Sequence, residues 1–388
     1  MKLSNRISKS FCLYFILLLS ASCSRTIVIN QENETNTPTI INSIILYPTI
    51  TPSRSSSITK EYTRSFTSLP IKTYEINKEM IYFDLVIDPN KTSIIYAGIN
   101  GGGIIKSNNF GVDWTNSSNN LLDLWVEDIA INPINSNYLY AGTMNEGIFK
   151  SMDGGNNWFP INNGLLNKRI LSISINNLDP SNLYLGTLEG GIYKSINEGD
   201  DWYPVNNGVD YLNNYRISSI VINEINPSII YAGTIGNGII KSSDAGETWE
   251  LIYESNDDIW TFRDLAIDPS NENIIYAGTN KGVLKSNNGG KDWEITMDKP
   301  RNTNIYEIVI DHVNSSIIYA ASALEGVLKS IDSGKTWIRM NEGLSDIRVN
   351  SIVIDPINPE YIYIGTDTGI IYQSTNSGNS WFQLFSWF

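Results

Sequence analysis

The stretch Ser242-Ser-Asp-Ala-Gly-Glu-Thr-Trp249 recurs, with substitutions, seven times along this 388-residue chain. Its shared pattern is Ser-x-(Asp/Asn)-x-Gly-x-x-Trp, and the copies begin at Ser107, Ser151, Ser195, Ser242, Ser286, Ser330 and Ser374. Successive copies begin 44 residues after one another, except for one spacing of 47. A tyrosine in an apolar segment precedes each copy by ten or eleven residues: Tyr96, Tyr140, Tyr184, Tyr231, Tyr276, Tyr319 and Tyr363. A fixed period of this length indicates one supersecondary unit repeated seven times.

Each repeat predicts four short strands separated by turn residues. In the fifth repeat these are Phe262–Ile267, Ile274–Thr279, Val283–Ser286 and Trp293–Thr296. A four-stranded repeat of this length is typical of a propeller blade, which must stack against neighbours to bury its two apolar faces. The sequence therefore predicts an all-β, seven-bladed β-propeller of antiparallel blades over residues 76–388. Because the repeat starts with an inner strand (Tyr82–Ile87) and ends with an outer one (Trp381–Phe385), we expect each blade to be contiguous in sequence.

The repeated turn resembles a known motif. The segments 242–249 and 330–337 are similar to the Asp-box, or BNR, repeat of sialidases, xyloglucanases, sortilin-type receptors and photosystem II assembly-factor-like propellers. The surrounding Asp-Pro…Ile-Tyr-Ala-Gly-Thr…Gly…Lys-Ser pattern is most similar to the assembly-factor-like and xyloglucanase groups. This resemblance covers roughly residues 80–388 and implies a fold much more specifically than a function.

The third position of the box carries an acid in only some repeats. It is Asp153, Asp244 and Asp332 in three copies and Asn109, Asn197, Asn288 and Asn376 in four. A side chain that accepts hydrogen bonds from a turn tolerates this exchange, whereas a proton-transferring acid does not. We therefore expect the box residues to be structural.

The N-terminus resembles an export signal. Lys2, Arg6 and Lys9 precede an apolar segment, 11–19, which is too short to span a bilayer. Small residues then lead to Cys23, as in a bacterial lipobox, although Ser20 stands where leucine is usual. We expect cleavage of residues 1–22, lipidation of Cys23, a Ser/Thr/Pro-rich tether over 23–75 and a membrane-anchored, periplasmic or cell-surface protein. The alternative is ordinary cleavage and secretion.

Charge and composition exclude several function classes. The formal net charge is −14, and loss of residues 1–22 removes three positive charges and gives −17. Such an acidic chain repels phosphate backbones, so we expect no nucleic-acid partner. With one histidine (His312) and two cysteines, the sequence also predicts no metal site and no cofactor.

The sequence offers no complete catalytic motif. The arginine-containing motif that sialidases carry ahead of the first box has no match before Ser107, and Tyr215-Arg-Ile-Ser218 lacks its proline. Xyloglucanases that resemble this repeat use two propellers with one catalytic Asp from each, whereas this chain has one. We therefore predict a non-catalytic module that binds a protein or glycan, with no catalytic residues. The alternative is a glycosidase related to sialidases or xyloglucanases.

The candidate binding surface is the rim formed by the starts of the first strands, which the short Gly-rich loops between strands two and three leave open. Its predicted residues are Arg169, Arg216, Arg263, Arg348, Trp125, Trp260, Glu127 and Tyr306. Three of the arginines share one repeat position, three residues before Ser172, Ser219 and Ser351, and such a cluster suits an anionic or planar partner. The alternative is that these arginines are solubilising or pair with acids such as Asp128, Asp264 and Glu307.

Overall fold

The computed structural model describes residues 49–50, 64–65, 83–209, 216–256, 258–297 and 303–387. The chain divides into two compact units, Met1–Tyr74 and Glu75–Phe388. In the first unit, the short strands Thr49–Ile50 and Arg64–Ser65 pair antiparallel. The predicted signal peptide, Cys23 and most of the predicted tether lie outside the described residues.

The second unit contains seven four-stranded antiparallel sheets, here called blades 1 to 7 in chain order. The strands of blades 1 to 4 are Phe83–Ile87, Ile95–Ile99, Gly103–Ser107 and Thr115–Asn116; Val126–Ile131, Leu139–Thr143, Ile148–Ser151 and Phe159–Pro160; Ile170–Ile175, Leu183–Thr187, Ile192–Ser195 and Tyr203–Pro204; Arg216–Ile222, Ile230–Ile235, Gly238–Ser242 and Glu250–Glu254. Those of blades 5 to 7 are Phe262–Ile267, Ile275–Thr279, Gly282–Ser286 and Glu294–Met297; Ile305–Ile310, Ile318–Ser322, Gly326–Ser330 and Ile338–Arg339; Val349–Ile354, Ile362–Thr366, Ile370–Ser374 and Phe382–Ser386.

The prediction of a seven-bladed propeller with blades contiguous in sequence is confirmed. The first strands of neighbouring blades contact each other all the way round, including the first strand of blade 7 with that of blade 1, so these strands line the centre. The predicted ends of the fifth repeat's strands agree within one residue. The described residues contain no helix, and hence none with the length and apolar character to cross a bilayer.

The core is divided into seven apolar clusters, one at each junction between blades. At the junction of blades 1 and 2, Tyr96 and Ile104 pack against Val126, Ile129 and Trp158. The second strand is apolar on both faces because each blade is covered by a neighbour on either side; Ile95–Ile99, for example, is buried at every position. Burial between blades therefore holds the ring together.

Six of the seven junctions share a pair of polar contacts. At the first, the Tyr96 hydroxyl and the Lys106 ammonium both donate to the carbonyl oxygen of Gly154 in the next blade's box, at 2.9 and 2.8 Å. The same arrangement joins Tyr140 and Lys150 to Glu198, Tyr184 and Lys194 to Ala245, Tyr231 and Lys241 to Gly289, Tyr276 and Lys285 to Ser333, and Tyr319 and Lys329 to Ser377. The tyrosine that the sequence repeats thus fixes the stacking of adjacent blades.

The junction between blades 7 and 1 is built differently. Gln373 stands at the lysine position and donates to the Tyr363 hydroxyl of its own blade at 2.7 Å. The indole nitrogen of Trp114 is buried without a hydrogen-bond partner. Phe385 fills this junction instead, with its ring centroid 6.0 Å from that of Trp114 and 6.1 Å from that of Trp387. Aromatic packing by Phe385 therefore stands at this junction where the other six have the tyrosine and lysine contacts.

Candidate functional site

The Asp-box residues form the turn between the third and fourth strands in every blade. In blade 2, the Ser151 hydroxyl donates to Asp153 Oδ1 and accepts the Gly155 amide, each at 2.9 Å. Gly155 has a φ of +81°, which a residue with a Cβ adopts only with strain. The box side chain thus accepts hydrogen bonds within the turn, and does so in the outer part of the blade, away from the central strands.

Whether a box carries Asp or Asn follows the residue four positions later. Asp153, Asp244 and Asp332 accept from donors there: Asn157 at 2.7 Å, Thr248 at 2.6 Å and Thr336 at 2.7 Å. Asn109, Asn197, Asn288 and Asn376 donate to acceptors there: Asp113 at 2.8 Å, Asp201 at 3.0 Å, Asp292 at 2.7 Å and the Ser380 hydroxyl at 2.9 Å. The exchange between Asp and Asn is therefore accompanied by a matching change of hydrogen-bond partner four residues later in the same turn.

A cavity of about 600 Å³ lies at the centre of the propeller, among the first strands. Five of the eight predicted rim residues line it: Trp125, Glu127, Arg169, Arg263 and Tyr306. They come from four different blades and meet because equivalent repeat positions converge on the ring axis. We call this space the central cavity.

Two side chains of the central cavity have unusual environments. The guanidinium carbon of Arg263 lies 4.5 Å from the centroid of the Tyr306 ring, and the Arg263 Nε is buried without a hydrogen-bond partner. Burial raises the pKa of Glu127 to about 7, although a hydrogen bond from Asn100 opposes the shift. The cavity therefore combines a buried donor, a carboxyl that titrates near neutral pH, and the Trp125 ring.

The three remaining predicted rim residues do not line the central cavity. Arg216 is exposed, and the Trp260 side chain is 50 % exposed. Arg348 Nε lies 3.0 Å from Asp367 and 3.4 Å from Asp346. Arg169, which does line the cavity, pairs with Glu189 at 3.4 Å. The acids considered in the sequence as arginine partners, Asp128, Asp264 and Glu307, form none of these ion pairs.

Those acids belong instead to a ring of hydrogen bonds that sequence reasoning missed. Asp84 accepts the amide of Ile129 from the next blade at 2.5 Å. The same repeat position does this in every blade: Asp128 accepts from Ile173 at 2.6 Å, Ser172 from Ile220 at 3.1 Å, Ser219 from Leu265 at 3.2 Å, Asp264 from Ile308 at 2.8 Å, Glu307 from Ile352 at 2.7 Å and Ser351 from Leu85 at 3.2 Å. We call these seven side chains the channel ring, because the last bond returns to blade 1 and closes the circle.

Burial makes the carboxyl groups of the channel ring hard to ionise. It raises the pKa of Asp264 to about 6 and that of Glu307 to about 8, with the nearby charge of Asp264 adding to the shift of Glu307. Burial likewise raises the pKa of Asp128 to about 6, and the pKa of Asp84 lies well above its usual range. These four groups border the central cavity.

A sequence signal for the channel ring exists. Each first strand alternates apolar residues with one Asp, Glu or Ser at a fixed repeat position, and a polar residue repeated inside a buried strand requires a partner. In the described ranges, no group of three or more His, Cys, Asp or Glu side chains is placed to bind a metal ion.

The fold and the repeated turn define the class of the protein: a seven-bladed β-propeller of Asp-box repeats. Residues 247–385, which include the fourth strand of blade 4 and most of blades 5 to 7, match the family model described as photosynthesis system II assembly factor YCF48. No curated protein matches the chain significantly.

Solved structures with the same fold include members of the two groups that the sequence resembles. The GH74 xyloglucanase from Xanthomonas campestris aligns with a TM-score of 0.66 and 15 % identity, over 80 % of this chain and 55 % of that enzyme. YCF48 from Cyanidioschyzon merolae aligns with a TM-score of 0.58 and 15 % identity, over 77 % of this chain and 97 % of that protein. A structure of YCF48 bound to D1 peptide aligns with a TM-score of 0.59 and 15 % identity, over 78 % and 96 %. The chain thus spans about half of the xyloglucanase and nearly all of YCF48; at these identities the likeness establishes the fold alone.

Proposed function

We propose that this chain is a non-catalytic propeller that binds a protein partner by receiving a peptide segment in the central cavity. The observation that carries the proposal is the convergence of Trp125, Glu127, Arg169, Arg263 and Tyr306 on one open space of about 600 Å³. A concave site with aromatic walls and a few convergent polar groups is the usual form of a ligand site.

The chemistry of the cavity suits an extended peptide. The buried Nε of Arg263 has no hydrogen-bond partner, so it can donate to an acceptor on a ligand, such as a backbone carbonyl or a carboxylate. The Trp125 ring offers a flat apolar surface, and aromatic and arginine side chains carry much of the binding energy at interfaces. The structure of YCF48 with D1 peptide, which shares this fold, supports a peptide as the ligand.

The test is a peptide-display selection against the full mature chain, with affinity measured for Trp125→Ala and Arg263→Ala. We expect each substitution to weaken the selected peptides about 30-fold, because removal of a buried aromatic or arginine anchor costs about 2 kcal/mol. Arg216→Ala is the matched control, since Arg216 is exposed and does not line the cavity. Equal affinities for Arg263→Ala and Arg216→Ala would refute the cavity as the site. Binding of a glycan array in place of peptides would favour a glycan partner.

A glycosidase is the second candidate, and the raised pKa values of Asp264 and Glu307 beside the cavity are the observation in its favour. A glycosidase needs one protonated and one ionised carboxyl facing the scissile bond. Here one oxygen of each group is already bonded to an amide of the next blade, which favours a structural use. We expect the purified chain to release no sugar from xyloglucan, β-glucan or sialosides, and turnover that a Glu307→Gln substitution abolishes would establish the enzyme instead.

We also propose that the chain is exported and anchored by a lipid on Cys23. Support comes from the charged start, the short apolar segment and the small residues before Cys23. Wild-type protein is expected to partition into detergent and to sediment with membranes, whereas Cys23→Ala is expected to be released or to change in size. A soluble, unacylated wild-type protein would show that the chain is secreted instead.

A further inference from the structure

The channel ring brings four acidic side chains together at the centre of the molecule. Each of the four accepts a hydrogen bond from a backbone amide of the following blade: Asp84, Asp128, Asp264 and Glu307. A change in the charge of these groups therefore affects the hydrogen bonds between blades. The ion pairs of the described residues involve other acids. Ionisation of the ring acids is therefore not offset by a paired base.

Every blade contributes either a carboxyl or a hydroxyl group to the channel ring. Blades 3, 4 and 7 present only the hydroxyls of Ser172, Ser219 and Ser351 at the ring position. The charged or titratable neighbours that share the cavity are Glu127, Arg169, Arg263 and Tyr306. Arg169 pairs with Glu189, and Arg263 stacks on Tyr306. The acids thus outnumber the bases around the cavity.

The carboxyl groups of Asp84 and Asp128 form one hydrogen-bonded pair. The bond raises the pKa of Asp84, next to the larger effect of burial, and opposes the burial-driven rise at Asp128. When Asp84 is protonated, its hydroxyl is therefore the hydrogen-bond donor and Asp128 is the acceptor. Two ionised carboxylates next to each other in a buried site repel each other, which favours the protonated form of Asp84.

We propose that the channel ring is a proton-binding site and that protons bound there stabilise the closed propeller. The stability of the fold then depends on pH whether or not a ligand is bound. Loss of these protons leaves four carboxylates facing one another across the centre.

The direction of the pH effect follows from the raised pKa values. In the unfolded chain these acids titrate near pH 4, whereas in the folded chain Asp128 and Asp264 titrate at about 6 and Glu307 at about 8. Between these limits the folded state binds more protons than the unfolded state. Stability is therefore greatest at acidic pH and falls as the pH rises from about 4 to about 8.

The size of the effect can be counted in protons at pH 7. Glu307, with a pKa of about 8, is mostly protonated there, and Glu127, with a pKa of about 7, is half protonated. The raised pKa of Asp84 acts in the same direction. The corresponding unfolded groups are ionised. Unfolding should therefore release between about one and two protons, and the unfolding equilibrium constant should rise at least about tenfold per pH unit near neutrality.

The test is urea unfolding of the full mature chain in a pH series from 5 to 9. Asp84→Asn and Glu307→Gln keep an oxygen that accepts the backbone amide and imitate the protonated carboxyl, so each should fold. Glu307→Gln should reduce the count by about one proton, a tenfold smaller change per pH unit, and Asp84→Asn should reduce the count as well. Asp153→Asn is the matched control. Hydrogen bonds to Asp153 lower its pKa, so it is ionised in both states and its removal should leave the count unchanged.

A wild-type unfolding constant that changes less than threefold per pH unit near pH 7 would overturn the proposal. Unchanged proton release in both Asp84→Asn and Glu307→Gln would overturn it as well. Because the measurement needs no partner, its result does not depend on whether the cavity binds a peptide.

Discussion

Replacement of one box tryptophan by alanine at two different junctions tests how the ring is held together. Trp158 is fully buried between blades 1 and 2, and its indole nitrogen donates to the Ser117 carbonyl at 2.7 Å. Trp114 occupies the equivalent position in blade 1, is only partly buried and has no partner for its indole nitrogen. The same substitution therefore removes different interactions at the two sites.

The expected costs follow from these contacts. Truncation of a buried tryptophan costs about 3–5 kcal/mol, and Trp158→Ala also leaves a carbonyl without its donor, which adds about 1 kcal/mol. Trp114→Ala loses packing against Phe385 but no hydrogen bond, so we expect about 2 kcal/mol.

The assay is urea unfolding at constant pH, followed by circular dichroism because the substitution removes a fluorophore. Trp158→Ala should lower the free energy of unfolding at least 2 kcal/mol more than Trp114→Ala does. Equal losses at the two positions would refute the view that the junction between blades 7 and 1 is closed by different contacts from the junction between blades 1 and 2.

Three further substitutions test smaller features, each by thermal unfolding. Asn109→Asp places a carboxylate against the aspartate four residues later and should cost about 1 kcal/mol at neutral pH, whereas Asp153→Asn should change stability by less than 0.5 kcal/mol because its partner amide can reorient; equal effects would contradict the compensation within the box. Ala245→Gly should gain up to about 1 kcal/mol, since Ala245 has a φ of +58°, and a loss would show that no strain is relieved. Gln373→Lys should add about 1 kcal/mol by restoring the ammonium that six junctions share, and no gain would mean that the box of blade 1 is out of reach.

The fold could be predicted almost completely from the sequence because its determinants are local and repeated. The box turn, the Gly-rich loop and the tyrosine of the second strand occur in each copy, so their register fixes the strand ends. The contacts that close the ring between blades 7 and 1 could not be predicted from the sequence in the same way. The role of Phe385 depends on which blade lies next to the end of the chain, and a repeat pattern describes only what the copies share.

The candidate site was predictable in part. Repeat symmetry placed residues at the starts of the first strands on one surface, and five of them do line the central cavity. Symmetry could not tell which arginines would find local acids: Arg348 pairs within its own blade, whereas Arg263 turns onto Tyr306. The channel ring was missed because its serines and acids differ in chemistry from blade to blade, although each accepts the same kind of bond.

Photocrosslinking from inside the cavity tests the central proposal most directly. A benzoylphenylalanine residue would replace Trp125 in the full chain, expressed in intact cells, and Phe159, 48 % exposed on the outer strand of the same blade, would be the control position. We expect one defined crosslinked protein from position 125, lost when Arg263→Ala is added and retained with Arg216→Ala. Crosslinking of the same proteins from both positions, or none from position 125, would contradict a partner site in the central cavity.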